Sequence, residues 1–302
     1  MKRFYKRACP ALIFLGICAV FLSACKTKPE VSTNWPSAIL SFVSIEAIDT
    51  AGISLDFTLT IVNPVSFGSR FVVEGGHITI NGNEIKANGA ELAFSGLDEN
   101  KTFSVDTGSE DQPGIKEIPV RLELDVPALI SAGVPLRDDF TVELVLDLAL
   151  TDNMRISFPF NVSETVVFPY IREPVFSITA IAILKAELIN TRFRVGLRIE
   201  NPNHFPVDLS AFGYTLYGNG NYWANGTERN IIRIAPKSTI TGDLYLIMNF
   251  IDMPRSLLDQ IIRLENVNYR FNGEAMVSTG VDYLPRFVSS FDLSGYSEVF
   301  DN

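Results

Sequence analysis

Apolar and other residues alternate with period two in a stretch that occurs twice along the chain. The first copy runs Leu55-Asp56-Phe57-Thr58-Leu59-Thr60-Ile61-Val62 and stops at Asn63-Pro64; the second runs Phe193-Arg194-Val195-Gly196-Leu197-Arg198-Ile199-Glu200 and stops at Asn201-Pro202-Asn203. Such alternation places Phe57, Leu59 and Ile61, or Val195, Leu197 and Ile199, on one face of a half-buried strand. Proline has no N–H for a ladder and an asparagine side chain bonds nearby backbone, so Asn-Pro is a strand stop. Pro36 stands 27 positions before Asn63 and Pro174 stands 27 before Asn201. The equal spacing predicts an internal duplication with an offset of 138.

The same reading predicts further strands at residues 39–45, 71–73, 77–80, 91–94, 118–126, 140–150 and 156–168 in the first half. In the second half it predicts strands at 175–183, 207–209, 214–217, 239–249, 267–277 and 283–293. Asn81-Gly82 and Gly218-Asn219-Gly220-Asn221 are turn signals, and Trp223-Ala224-Asn225-Gly226 matches the turn region Lys86-Ala87-Asn88-Gly89. Residues 98–114 are polar and acidic and read as a long loop. Pro159 implies an edge or a bend, with Pro285 as its counterpart. Two segments break the alternation, 127–132 and 254–263, and each reads as a short helix. Many short strands with one helix per half predict an all-β fold of two tandem immunoglobulin/fibronectin-III-like antiparallel β-sandwiches, at 36–168 and 174–293.

The first 35 residues read differently. Lys2, Arg3, Lys6 and Arg7 precede an apolar run from Ala11 to Ala24, too short to span a bilayer comfortably. The run ends in Leu22-Ser23-Ala24-Cys25, which resembles the lipobox of bacterial lipoproteins. That resemblance implies a signal peptide over 1–24, acylation of Cys25, a lipid-anchored tether over 25–35 and a place in the bacterial cell envelope. Lys26, where an aspartate would favour inner-membrane retention, tilts the expectation toward the outer membrane or periplasmic face. Cleavage removes Cys9 and Cys18, so no disulfide is expected and stability rests on burial. It also removes four basic and no acidic residues, leaving 21 Lys and Arg against 35 Asp and Glu, a net charge of −14. A chain so acidic repels phosphate backbones and anionic headgroups, which excludes nucleic acid as a partner and makes membrane attachment covalent, through the lipid on Cys25.

Residues 174–207, and above all Asn201-Pro202-Asn203 with Phe205 and Val207 just beyond, resemble the water stress and hypersensitive response (WHy) domain of the LEA-2 class of late embryogenesis abundant proteins. The first half matches at Asn63 and Pro64 but carries Val65 where the second asparagine should stand. The resemblance implies a small β-sandwich with a short helix. It also implies roles in desiccation or osmotic stress protection or as a binding scaffold, with no catalysis; lipid or apolar-ligand binding is the alternative it leaves open. A possible protein or lipid ligand is therefore expected as a partner.

Candidate chemistry is sparse. Val105-Asp106-Thr107-Gly108-Ser109 matches the aspartic-protease signature, but those enzymes need two carboxylates sharing a proton. The region corresponding to it, around Pro236-Lys237-Ser238-Thr239, has no aspartate, so a polar loop is expected. His77 and His204 with one acylated cysteine make no zinc cluster. Asp106, Glu110 and Asp111 have the oxygens a calcium ion wants but no fixed spacing. Tyr214, Tyr217, Tyr222 and Trp223 bracket a turn and read either as a sticky surface or as cross-strand aromatic pairs. No catalytic residue, cofactor or metal is expected, and Asn63, Pro64, Asn201, Pro202 and Asn203 are expected to act structurally.

Overall fold

The computed structural model describes residues 35–66, 68–85, 89–98, 100–151, 157–185, 191–248, 267–297 and 299–301. The predicted signal, Cys25, the tether up to residue 34 and the predicted 254–263 helix lie outside them. The first half contains β1 (Ser37–Ala47), β2 (Gly52–Asn63), β3 (Ser69–Ile80), β4 (Asn83–Ile85), β5 (Ala90–Phe94), β6 (Thr102–Val105), β7 (Gly114–Asp125), α1 (Val126–Ser131), β8 (Asp139–Thr151) and β9 (Ser157–Pro169). The second contains β10 (Val175–Lys185), β11 (Thr191–Glu200), β12 (Val207–Gly218), β13 (Asn221–Glu228), β14 (Ile232–Ile234), β15 (Thr239–Met248), β16 (Val267–Ser278), β17 (Arg286–Ser297) and β18 (Val299–Asp301).

Alternation becomes packing in both halves. Leu55, Phe57, Leu59 and Ile61 of β2 turn inward against Phe71, Phe140 and Leu146 of the facing sheet, all essentially buried. Phe193, Val195, Leu197 and Ile199 of β11 do the same against Phe212, Leu216, Trp223 and Phe271. The first half has sheets ordered β1-β2-β7-β5 and β4-β3-β8-β9, with β6 beside β3; the second has β15-β11-β10-β18 and β13-β12-β16-β17, with β14 beside β12. The expected all-β, antiparallel sandwich architecture is thus present, and α1 is the short helix of the first half.

Strand for strand, β1 to β4 correspond to β10 to β13, β6 to β14, β7 to β15, and β8 and β9 to β16 and β17. Register agrees as well: Ser37 pairs with Val62 and Val175 with Glu200, each 25 positions on. Both hairpin turns reverse through left-handed residues, Asn81-Gly82 and Asn219-Gly220. The halves differ at their margins. β5 extends the first sheet beyond β7, whereas β15 has no strand beyond it among the described residues, and β18 adds a short parallel strand to β10.

Several boundaries differ from the sequence reading. The 98–114 loop holds β6, whose inward Phe103 and Val105 are too few to show a period among polar neighbours. Residues 71–73 and 77–80 are one strand, β3, carried across an irregularity at Val73–Gly75, and 207–217 are likewise one strand. Trp223 to Gly226 lie inside β13, not in a turn, because the chain reverses earlier at Asn219-Gly220. Pro159 sits in β9, an edge strand where a missing N–H costs no ladder bond. Pro285 instead precedes β17, in a turn where its carbonyl accepts from Thr279 N.

Candidate functional site

The Asn-Pro steps are corners that close one end of each sandwich. Asn63 and Asn201 are fully buried. Asn63 Nδ2 donates to the carbonyl of Asp106 at 2.8 Å, and Asn201 Nδ2 donates to those of Phe205 at 2.8 Å and Ala235 at 3.1 Å. Asp106 and Ala235 follow β6 and β14 directly, so each amide ties the end of one sheet to a short strand of the other. A second bond repeats alongside: Gly108 N donates to Val65 O at 2.8 Å, and Lys237 N to Asn203 O at 2.9 Å. Pro64 and Pro202 end the ladder at these corners, as expected of a residue with no N–H. The Asp106-Thr107-Gly108 loop is therefore half of a corner. A Cβ on Gly108 would overlap the Asn63 carbonyl and the Gly114 nitrogen, which explains that glycine without chemistry.

Asn203, the residue the first half lacks, holds the connection between the halves. Its side chain pairs with both backbone groups of Arg172: Oδ1 accepts from Arg172 N at 2.8 Å and Nδ2 donates to Arg172 O at 2.9 Å. Asn201 Oδ1 fixes its orientation by accepting from Asn203 N at 2.9 Å and Nδ2 at 3.0 Å. The Arg172 guanidinium then reaches back to Asp138 at 3.2 Å and to the carbonyls of Leu136 and Arg137 at 3.2 and 2.8 Å, and lies over the Tyr170 ring. Lys237 Nζ donates to Asp138 at 2.5 Å and to Pro202 O at 2.8 Å. Lys237 and, less strongly, Arg172 hold the Asp138 carboxyl below its usual range.

The rest of the connector is equally fixed. Tyr170 is buried in the first core and Ile171 in the second. Tyr283, from the β16–β17 turn, stands edge-on to Phe168 and donates its hydroxyl to Pro169 O. Burial pushes the Tyr283 phenol well above its ordinary value. Ser289 donates to Glu173 at 2.7 Å. Sequence reasoning missed this seam. Arg172 lies in no periodic segment, and its hydrogen-bond partners are 30 or more positions away; the missing asparagine at Val65 was the available sign.

The other candidates resolve into ordinary roles. The Asp106, Glu110 and Asp111 side chains are exposed, and no group of three possible metal ligands occurs among the described residues. His77 contacts Asp147 at 2.8 Å and Glu84 at 3.7 Å on the surface, and His204 lies 3.7 Å from Asp139. Tyr214 and Trp223 belong to the second core, Trp223 stacking on Phe193. Tyr217 and Tyr222 form an edge-to-face cross-strand pair, so the four aromatics do not make one sticky patch. An open depression of about 1890 Å³ lies beside Glu46, Asp49, Glu123, Asp125 and Tyr283. Its walls are the ends of β1, β2, β5 and β7 and the helix α1. Between the sheets the space is taken by side chains such as Phe57, Phe71 and Phe140, and Phe193, Phe212 and Phe271.

Residues 196–283 match the family model of late embryogenesis abundant protein, LEA_2. The LEA-2 match runs from β11 to the turn carrying Tyr283, and it contains both the Asn201-Pro202-Asn203 corner and Lys237. It supports the LEA-2 class for this part of the chain. No curated protein matches the sequence. Solved structures with some likeness include a protein from Archaeoglobus fulgidus, 17% identical, spanning 42% of this chain and 96% of its own, with a TM-score of 0.28. The periplasmic chaperone SfaE is 9% identical over 88% of this chain and 100% of its own, TM-score 0.25. Bacteroides uniformis β-glucuronidase 2 is 9% identical over 86% of this chain and 32% of its own, TM-score 0.22. At such scores these likenesses carry no argument about the LEA-2 region or the rest.

Proposed function

We propose that this protein is a non-catalytic envelope lipoprotein, anchored through Cys25, whose two WHy/LEA-type sandwiches arose by duplication. It acts in desiccation or osmotic stress protection or as a binding scaffold. The observation that carries this reading is the LEA_2 match over the Asn201 corner. Supporting it, the aspartate of the protease-like signature serves the fold: Asp106 offers its backbone carbonyl to Asn63 and leaves its carboxylate in solvent.

Two experiments test the two parts. Cys25→Ser is expected to abolish incorporation of radiolabelled palmitate and to release the protein from the membrane fraction; continued labelling removes the anchor. A deletion strain is expected to survive drying or osmotic shock less well than its parent. Equal survival removes the protective role and leaves the scaffold.

A further inference from the structure

Three asparagines have a hydroxyl residue two places on, the spacing that N-glycosylation requires: Asn100-Lys101-Thr102, Asn161-Val162-Ser163 and Asn225-Gly226-Thr227. The fold separates them. Asn161 lies within β9 opposite Asp147, and Asn225 lies within β13 opposite Thr215. Their ladders hold both segments extended and flat in a sheet, where a modifying enzyme cannot surround the amide and the hydroxyl together. Asn100 instead stands in the turn that enters β6. Lys101 N donates to Asp98 O at 2.9 Å, Thr102 N donates to Asp98 Oδ1 at 2.8 Å, and Lys101 takes the left-handed backbone that closes the turn. Val73 N donates to Lys101 O at 3.0 Å and fixes the turn to β3. The Asn100 side chain takes no part in this. It is exposed, and its carboxamide has no hydrogen-bond partner among the described residues. The Thr102 hydroxyl donates to Asn100 O at 3.2 Å, which keeps it beside that residue. Asn100 also has a carboxylate two positions ahead, Asp98, where Asn161 and Asn225 have Pro159 and Trp223.

We propose that Asn100 is an acceptor for an N-linked oligosaccharide. The donor is a polyprenyl-diphosphate-linked oligosaccharide, presented by a transferase of the envelope. Asn100 Nδ2 attacks the anomeric carbon; a C–N bond forms as the C–O bond to the diphosphate breaks, the polyprenyl diphosphate leaves with the electron pair, and the amide proton passes to a base of the transferase. A carboxamide is a weak nucleophile, so the transferase must grip the acceptor closely, and a projecting turn permits that. The exposed Asp98 carboxylate gives a basic transferase site a charge to pair with beside the acceptor. The turn is held by the Asp98 and Lys101 backbone and the Asp98 side chain, so sugar can be added to Asn100 without unfolding it. The assignment rests on the exported reading, which brings the chain to the compartment where such donors are used.

The test uses the full chain purified from its own cells, digested with trypsin and read by mass spectrometry. The peptide 87–101, bounded by Lys86 and Lys101, is expected to carry a carbohydrate mass increment that fragments into sugar ions. Peptides holding Asn161 and Asn225 are expected to carry none. Asn100→Gln and Thr102→Ala are each expected to abolish the increment, and Thr102→Ser to retain it, all three keeping the near-UV spectrum of the parent. Retention in the serine variant separates a need for the hydroxyl from a merely structural effect at position 102. An unmodified 87–101 peptide, an increment that survives Thr102→Ala, or sugar on Asn161 or Asn225 in place of Asn100 overturns the proposal. Palmitate labelling of the same preparation reports separately on export: a labelled chain without sugar overturns this assignment alone, and a chain with neither overturns both readings.

Discussion

Asn201 shows how much one buried amide carries. Its Nδ2 serves the carbonyls of Phe205 and Ala235 and its Oδ1 serves both nitrogens of Asn203. Asn201→Ala leaves these groups buried without partners, so a loss of about 1–3 kcal/mol in urea unfolding is expected; an unchanged midpoint would mean that the corner holds without its amide. Gly218 is a second such position. A Cβ there would overlap the Trp223 indole, which is locked against Phe193. Gly218→Ala is expected to cost about 1–3 kcal/mol and to shift Trp223 fluorescence, because the ring must move. The importance of Asn201 was readable from its neighbouring proline, since a strand stop is a local event. That of Gly218 was not, because the indole it accommodates comes from the next strand, across the turn.

Elements follow the same division. Strands β2, β7, β8, β11 and β16 announce themselves by long alternation, and the Asn-Gly turns by the left-handed backbone they need. β6 and β14 do not, for they span four and three residues, and their ends are tied to the Asn63 and Asn201 corners. Cross-strand ion pairs lie outside sequence reading too: Asp56–Arg121, Asp208–Arg233 and Asp292–Arg270 depend on register. In each, the hydrogen bond to arginine lowers the aspartate pKa, as Lys237 lowers that of Asp138. A carboxyl depressed by folding adds stability above its unfolded value, near 3.8, and loses it as pH falls through the folded value. Urea midpoints are therefore expected to hold flat above that pH and to drop below it. In a variant with all four aspartates replaced by Asn, the drop is expected to be smaller.

At the scale of the whole molecule, the connector decides whether two sandwiches behave as one body. Tyr170 and Ile171 enter different cores, Arg172 and Lys237 share Asp138, and Tyr283 caps Pro169. Lys237→Ala combined with Asn203→Val, the residue type found at the matching position 65, is expected to leave both cores folded while increasing proteolytic cleavage at 170–174 and broadening the small-angle scattering profile. Unchanged cleavage would show that Tyr170, Ile171 and Tyr283 suffice. Local features were legible in consecutive residues: an all-β chain, the strand periods, the Asn-Pro corners and the Asn-Gly turns. What Asn203 grips, the use of Asp106 as a backbone acceptor, and the pairing of Asp56 with Arg121 were settled by packing. Those outcomes depend on which strand lies next to which and in what register, and period-two alternation says only which side of a strand a residue faces, never what stands opposite it.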